Sequence, residues 1–357
     1  MSTKIRVGVF MGGRSIEREV SFNSGRTVCD HLDSQRFEII PIYQTITGEL
    51  YILPLKFLYR GKTVDFEHKL SAEAQKIAWE TLPTLIDFMY IAAHGQYAEN
   101  GALQGFLEIL KIPYLGSKVR ASALGMNKIL QKKILRAHNI TVPRDIIISP
   151  EESISSDILE RITATGLQFP VIVKPAHEGS SLGVTLAHDF AELTTAITHA
   201  RTIDTRRVQE VLIEEYITGL EFTCITLTNY ITGEPFPLPP TEIVSDTNSS
   251  IIDYEQKYMP GRAHKYTPAR CSPEDIKHIQ ESCIRVNTIL EITTISRIDG
   301  IITPDKKVVI FDPNTLSGMA PTSFMFRQAA AVGMNHTQFI NHLINTELHY
   351  YGLNTPK

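Results

Sequence analysis

Short β-branched runs bounded by glycine or proline alternate along this chain with longer amphipathic stretches. Residues 5–10 (IRVGVF) form the first such run and end at Met11, Gly12 and Gly13. A polar stretch follows, then a helical pattern from about Ser24 to Leu32. Strand, glycine turn and helix in that order open an α/β sheet. Further strands are expected at 37–43 (FEIIPIY) and 88–95 (FMYIAAHG), a helix over Ala102–Leu110, and another strand starting at Ile112–Leu115. A first α/β domain with an open parallel sheet is expected to close near residue 120.

From Ser122 to His138 the pattern is helical, and ITVPRDIIIS brings a new strand after Pro143. Residues 169–186 read strand–loop–strand, followed by a helix near Phe190–Thr202 and a strand at 211–217 (VLIEEYI). These make a small α+β unit. The remainder is expected to run as a strand (FTCITLT), a polar connector at about 240–268, a helix over Pro273–Leu290, two strands within 293–312 and a C-terminal helix. Three domains result, at 1–120, 121–217 and 218–357. A connector as long and as poor in pattern as 240–268 is either a functional lid or a plain linker.

Composition narrows the class. A chain of 357 residues suits two or three domains at roughly 100–200 residues each. Lys plus Arg number 35 against 39 Asp plus Glu, a net charge of −4. That balance argues against nucleic acid or an anionic membrane surface as the main partner. Cys29, Cys224, Cys271 and Cys283 form no CxxC pair and lie near no histidine pair at zinc spacing. Reduced thiols in a cytoplasmic protein are expected. The N-terminus reads as a first strand, not a signal peptide, and no apolar run reaches the roughly 18 residues of a membrane helix.

Five groups of residues carry candidate chemistry. Lys174 ends an apolar strand, and the glycine-rich PAHEGSSLG follows. Backbone N–H groups of such a loop approach an anion closely, with the lysine as a point charge. A hairpin turn with a solvated lysine is the alternative; GxxxxGK[ST] is absent. Asp299 in SRIDG and Asp312 and Asn314 in FDPNT sit on two strands joined by a short turn, which brings them to one end of a hairpin. Two carboxylates and an amide oxygen suit Mg²⁺, or they form a charged hairpin edge. Arg297 shares a strand face with Asp299. With the Gly318 backbone it could hold an oxyanion, or it could be a structural partner of the aspartate. Glu17 could receive an ammonium or cap the following helix. His94 stands where open sheets bind ligands at their carboxyl edge, or it is a hydrogen-bonded structural histidine.

Taken together, these strings resemble the D-alanine–D-alanine ligases of the ATP-grasp superfamily. The resemblance runs nearly end to end, through MGGRSIEREVSFNSG, HGQYAENGALQGFLE, PYLGSKVRASALGMNK, PVIVKPAHEGSSLGV, LIEEYITGLEFT, DYEQKY, RIDG and NTLSGMAPTS. It implies a three-domain fold with ATP between the central and C-terminal domains. It also implies that Lys128 and Lys174 bind phosphates under the 177–183 loop. Glu178, Ser181 and Lys257 would join the nucleotide contacts, Glu214 and Glu215 would line the adenine, and Glu221 would hold the ribose. Asp299, Asp312 and Asn314 match ligands of Mg²⁺ (or Mn²⁺). Arg297 and Gly318 match groups that stabilise a tetrahedral intermediate. Glu17, Ser180 and Tyr258 match a set holding the first amino acid and the mobile loop, His94 a group near its carboxylate, and Ser323 a contact to the second carboxylate.

The implied reaction joins two D-alanines through an acyl phosphate for peptidoglycan precursor synthesis, in a cytoplasmic enzyme whose relatives are commonly homodimers. Tyr258 favours the dipeptide over a D-lactate ester. Competing readings are an ATP-grasp ligase for other amino acids and a nucleotide-binding protein without catalysis. The chain departs from the family strings at several places. Asp312 stands for a glutamate, Asn100 for an aspartate and Asn127 for an aspartate. Ala98 and Ser317 also differ, and Gly300 stands where an aromatic residue is usual.

Overall fold

The computed structural model describes residues 4–179, 181–204, 208–245 and 263–353. Ser180, Lys257 and Tyr258 lie outside the described residues, as does most of the 240–268 connector.

The described strands form three sheets. The first contains β1 (Ile5–Gly12), β2 (Phe37–Gln44), β3 (Leu50–Ile52), β4 (Gln75–Ile77) and β5 (Phe88–Ile91), in the order β4-β3-β2-β1-β5. β1 pairs parallel with both β2 and β5, as the open parallel sheet required. β3 and β4 extend its edge antiparallel. Both faces of β1 are buried, which explains its unbroken apolar run. The following helix spans Arg18–His31, so it starts a turn and a half before the expected Ser24. Its polar first turn hid the start. No strand forms at 112–115. A single bridge joins Met89 to Tyr114, and Pro113, lacking an N–H, cannot extend the ladder.

The expected helix over 122–138 is two helices, Val119–Gly125 and Lys128–Ala137. Asn127 separates them and caps the second by accepting from the Leu130 N–H at 3.0 Å. Asparagine caps as well as aspartate, so the cap survives this departure from the family string. The second sheet contains β6 (Asp145–Ile148), β7 (Val171–Pro175), β8 (Thr185–Ala187) and β9 (Val211–Glu215), in the order β6-β9-β7-β8. One face, with Val171, Val173, Val211 and Ile213, packs on the helix Phe190–Thr202. The other carries Lys174 and Glu214 towards the helix Lys128–Ala137.

The third sheet is built from β10 (Leu220–Thr228), β11 (Pro235–Pro237), β12 (Thr241–Ser245), β13 (Ala263–Tyr266), β14 (Ile295–Ile302) and β15 (Val308–Asn314). The ends of the 240–268 connector are therefore not irregular: β12 and β13 pair antiparallel. Phe222, Cys224, Ile298 and Ile310 pack beneath the helix Pro273–Leu290. The chain then ends in two helices, Phe324–Ala331 and His336–Tyr350, where one was expected. Their Met325, Phe339 and Leu343 share a core with Val7, Met11 and Phe22, which joins the two ends of the chain. Cys29, Cys224, Cys271 and Cys283 are all free thiols. Among the described residues no helix is long and apolar enough to cross a membrane.

Candidate active site

The second and third sheets face one another across a cavity of about 570 Å³. Strand alternation decides what each contributes. On the third sheet, Thr223 lies opposite Asp299, and Asp299 opposite Asp312, so three strands present one polar row. Arg297 and Asn314 form the next pair along. Between Asp299 and Gly300 the register shifts by one residue. Phe311 is the extra residue, and this bulge turns the Phe311 carbonyl towards Lys174, at 3.3 Å from Nζ.

Asp299 is buried and accepts from Thr223 Oγ1 at 2.7 Å and from Arg297 Nε at 3.2 Å. Asp312 accepts from Lys128 Nζ at 2.6 Å. Asn314 donates through Nδ2 to the carbonyls of Arg297 (3.3 Å) and Asp312 (2.9 Å), which turns its oxygen away from the backbone. The donor set is therefore all oxygen, with cations already resting on both carboxylates, and that is the chemistry a hard divalent cation takes. Among the described residues no group of three or more His, Cys, Asp or Glu could hold a metal ion by itself.

On the second sheet Lys174 and Glu214 form an ion pair at 2.8 Å. Glu214 also receives Lys132 Nζ at 2.5 Å, and Lys132 reaches Asp145 at 3.1 Å. Arg136 is the further partner of Asp145. Burial would raise the Glu214 pKa, but its two lysines outweigh it and hold the carboxyl below its usual range. Burial lowers Lys174, and Glu214 offsets this in part because it is shared with Lys132. Burial also pulls on Lys128, yet Asp312 holds that ammonium above the ordinary lysine value. An anion brought to Lys174 would therefore offset the burial that lowers it. Glu215 turns its carboxylate to Arg144, at 2.7 Å from the backbone N–H. Glu178, Ser181 and Glu221 line the cavity with the apolar Ile172, Ile217 and Leu220.

A second cluster lies at the carboxyl edge of the first sheet. Glu17 occupies the N-terminal cap position of its helix, but its side chain makes no cap bond. It is buried between two glycines of other segments. A Cβ at Gly95 would overlap Glu17 Oε2 and Ser15 Oγ, and one at Gly179 would lie 3.0 Å from Glu17 Oε2. Gly95 has φ +76° as well. Gly95→Ala is expected to destabilise the fold by about 1–3 kcal/mol, as an L-residue forced into a left-handed conformation against a buried carboxylate. A urea titration measures it, and a loss under 0.5 kcal/mol, within the range of neutral surface changes, would contradict the close packing. His94 Nε2 shares a hydrogen bond with Ser24 Oγ at 2.8 Å, and Ser24 Oγ accepts from the Met319 N–H at 3.1 Å. The chain beside Gly318 is thereby tied to the first sheet. Ser323 begins the helix Phe324–Ala331, and its buried hydroxyl has no hydrogen-bond partner among the described residues.

The structure brings Lys128, Lys174, Arg297, Asp299, Asp312 and Asn314 together, with Glu214 behind Lys174. It brings Glu17, His94 and the Gly-rich loop to a neighbouring seam. Sequence reasoning missed Lys132, Thr223, Ser24 and Gln96. Lys132 carries no local signal, because its partners lie 13 and 82 positions away. Gly300 is explained by packing: a Cβ there would stand 2.6 Å from Cζ of Phe222 on the neighbouring strand.

Two family models match: "D-ala D-ala ligase N-terminus" over residues 6–117 and "D-ala D-ala ligase C-terminus" over 134–345. A D-alanine–D-alanine ligase of Desulforudis audaxviator is 35% identical over 341 residues, covering 95% of this chain and 97% of the relative. One from Desulfotalea psychrophila is 34% identical, covering 97% and 95%. Among solved structures, the VanG D-Ala:D-Ser ligase of Enterococcus faecalis superposes with a TM-score of 0.81 at 27% identity, covering 97% of this chain and 100% of that one. The Bacillus anthracis D-alanine–D-alanine ligase complexed with ATP gives 0.71 at 28% identity, covering 98% and 99%.

Proposed function

The chain belongs to the D-alanine–D-alanine ligase family, and from that membership we propose that it joins two D-alanines to D-alanyl-D-alanine with cleavage of ATP to ADP. The observation that carries this is the meeting of Lys128, Lys174 and Asp312 at one cavity, with Asp299 opposite Asp312 on the neighbouring strand. Lys128 and Lys174 hold the triphosphate as point charges, with the described part of the Gly-rich loop above it. The apolar wall at Ile172, Ile217 and Leu220 takes the adenine, Glu214 accepts from its amino group, and Glu221 holds the ribose. Residues 1–120, 121–217 and 218–357 serve as the amino-acid, phosphate-loop and metal-bearing units.

Glu17 receives the ammonium of the first D-alanine, near His94. The carboxylate of that D-alanine attacks the γ-phosphorus, the bond to the β-phosphate oxygen breaks, and ADP departs, giving a D-alanyl phosphate. The second amine attacks that carbonyl and inorganic phosphate departs. Arg297 and the Gly318 backbone hold the oxyanion of the tetrahedral intermediate, and Ser323 takes the second carboxylate at its helix N-terminus. A Mg²⁺ ion held by Asp299, Asp312 and Asn314 would neutralise charge on the transferring phosphoryl group.

The direct experiment incubates the protein with Mg²⁺–ATP and D-alanine, D-serine, D-lactate or L-alanine, following phosphate release and product mass. D-alanyl-D-alanine as the main product supports the reading. A D-alanyl-D-serine product would move the chain to the specificity named for the Enterococcus structure. ATP binding without phosphate release would rule out catalysis.

Lys174 gives a pH prediction. Its pKa lies below the ordinary lysine value because of burial, so rising pH removes its charge early in the free enzyme. kcat/KM for ATP is expected to fall on the alkaline side. Lys174→Arg, whose guanidinium stays charged, should lose that limb even if its plateau is lower. The same limb in the arginine variant would assign it to another group.

A further inference from the structure

We propose that Gln96 and Asn100 are positioning residues that hold the His177 arm of the Gly-rich loop against the carboxyl edge of the first sheet. Three hydrogen bonds run in one direction. The Ala102 N–H donates to Asn100 Oδ1 at 3.2 Å. With its oxygen held, Asn100 donates through Nδ2 to Gln96 Oε1 at 2.9 Å. Gln96 then donates through Nε2 to the His177 carbonyl at 2.6 Å. The relay begins on a backbone donor and ends on a backbone acceptor, so each amide has its orientation set by its neighbour. Gln96 is buried, so neither end of its amide is left to water.

The same arm is held from its other side. The His177 N–H donates to Gln209 Oε1 at 3.2 Å, and Gln209 Nε2 donates to Glu178 Oε1 at 3.1 Å. Gln209 belongs with the second sheet and Gln96 with the first, so the Gln96 bond joins two units. It does so beside the point where Glu17 meets both Gly95 and Gly179.

This accounts for asparagine where the family string has aspartate. An aspartate at 100 accepts from the Ala102 N–H equally well, but it has no proton for Gln96. Gln96 must then either face a carboxylate with its own oxygen or reverse its amide. Reversal sets its oxygen against the His177 carbonyl. One bond of the relay is lost in either case, and a buried acceptor stays unmet. Gln96 and Asn100 therefore work as a matched pair.

The test is hydrogen exchange in a peptide spanning Ala176–Gly179, with ligand absent, and β5 as the internal reference for folding. It compares the parent with Asn100→Asp, Gln96→Leu and the double variant; both single changes nearly conserve volume. Each single variant is expected to exchange about five-fold faster in the arm, the effect of one lost buried hydrogen bond on local opening. The double variant should exchange no faster than Gln96→Leu. Resting on the ligase reading, KM for ATP should rise by a similar factor, with kcat changed less than about two-fold. Unchanged exchange in both single variants, or a double variant equal to the product of the singles, would overturn the proposal. Faster exchange in variants of a parent that makes no dipeptide would support the positioning role and overturn the ligase reading.

Discussion

Asp299→Asn is expected to lower kcat for ATP-dependent ligation by about 10³-fold, the scale on which single charged or oxyanion-binding groups act in phosphoryl and acyl transfer. Asp299 sits at the centre of the row Thr223–Asp299–Asp312. Asparagine keeps the shape, and its oxygen still accepts from Thr223. What it removes is one negative charge from the paired carboxylates Asp299 and Asp312. The fold should persist, because the core beneath this face is supplied by Phe222, Cys224, Ile298 and Ile310. KM for ATP should change less than kcat, since the proposed nucleotide contacts of Lys128 and Lys174 remain. Steady-state phosphate release at saturating ATP and Mg²⁺ gives the answer. A kcat within ten-fold of the parent would remove Asp299 from the chemistry.

Lys132→Met is expected to cost about 3–5 kcal/mol of stability, the range for breaking a buried ion pair from one side. Lys132 is buried and holds two carboxylates, Glu214 and Asp145. Methionine fills the volume but leaves Glu214 to Lys174 and Asp145 to Arg136. The acid response should shift with it. The folded-state pKa of Glu214 is depressed. Its contribution to stability is therefore present above the unfolded carboxyl pKa and is lost as pH falls through the folded value. With Lys132 gone that folded value rises, so the loss begins at higher pH. Urea titrations from neutral to acid pH read both effects. Stability within 1 kcal/mol of the parent at pH 7 would mean that Glu214 is satisfied by Lys174 alone, because a lost buried charge partner costs several times that. A large loss would show that Glu214, the partner of Lys174, needs Lys132 as well.

The departures from the family strings are less disabling than their number suggests. Asn127 caps its helix, Phe222 fills the space above Gly300, and Asn100 has Gln96. Asp312, one methylene shorter than glutamate, stands directly after the Phe311 bulge and reaches Lys128.

Much of this was legible along the chain. The helices Phe190–Thr202 and Pro273–Leu290 follow their apolar periodicity and caps. That Asp299 and Asp312 come to one end of a hairpin follows from two strands and one tight turn, whereas their direct pairing depends on the Phe311 bulge. These are local matters, settled by side-chain period, proline, glycine and capping within a few residues. What periodicity could not supply was the partner of each polar residue. Lys132 and Glu214 are 82 positions apart, Gln96 and His177 are 81, and Lys128 and Asp312 are 184. A lysine on a helix carries the same local signal whether it faces solvent or a buried carboxylate. Only when two sheets close over a cavity does burial remove water, and the polar groups inside must then find one another.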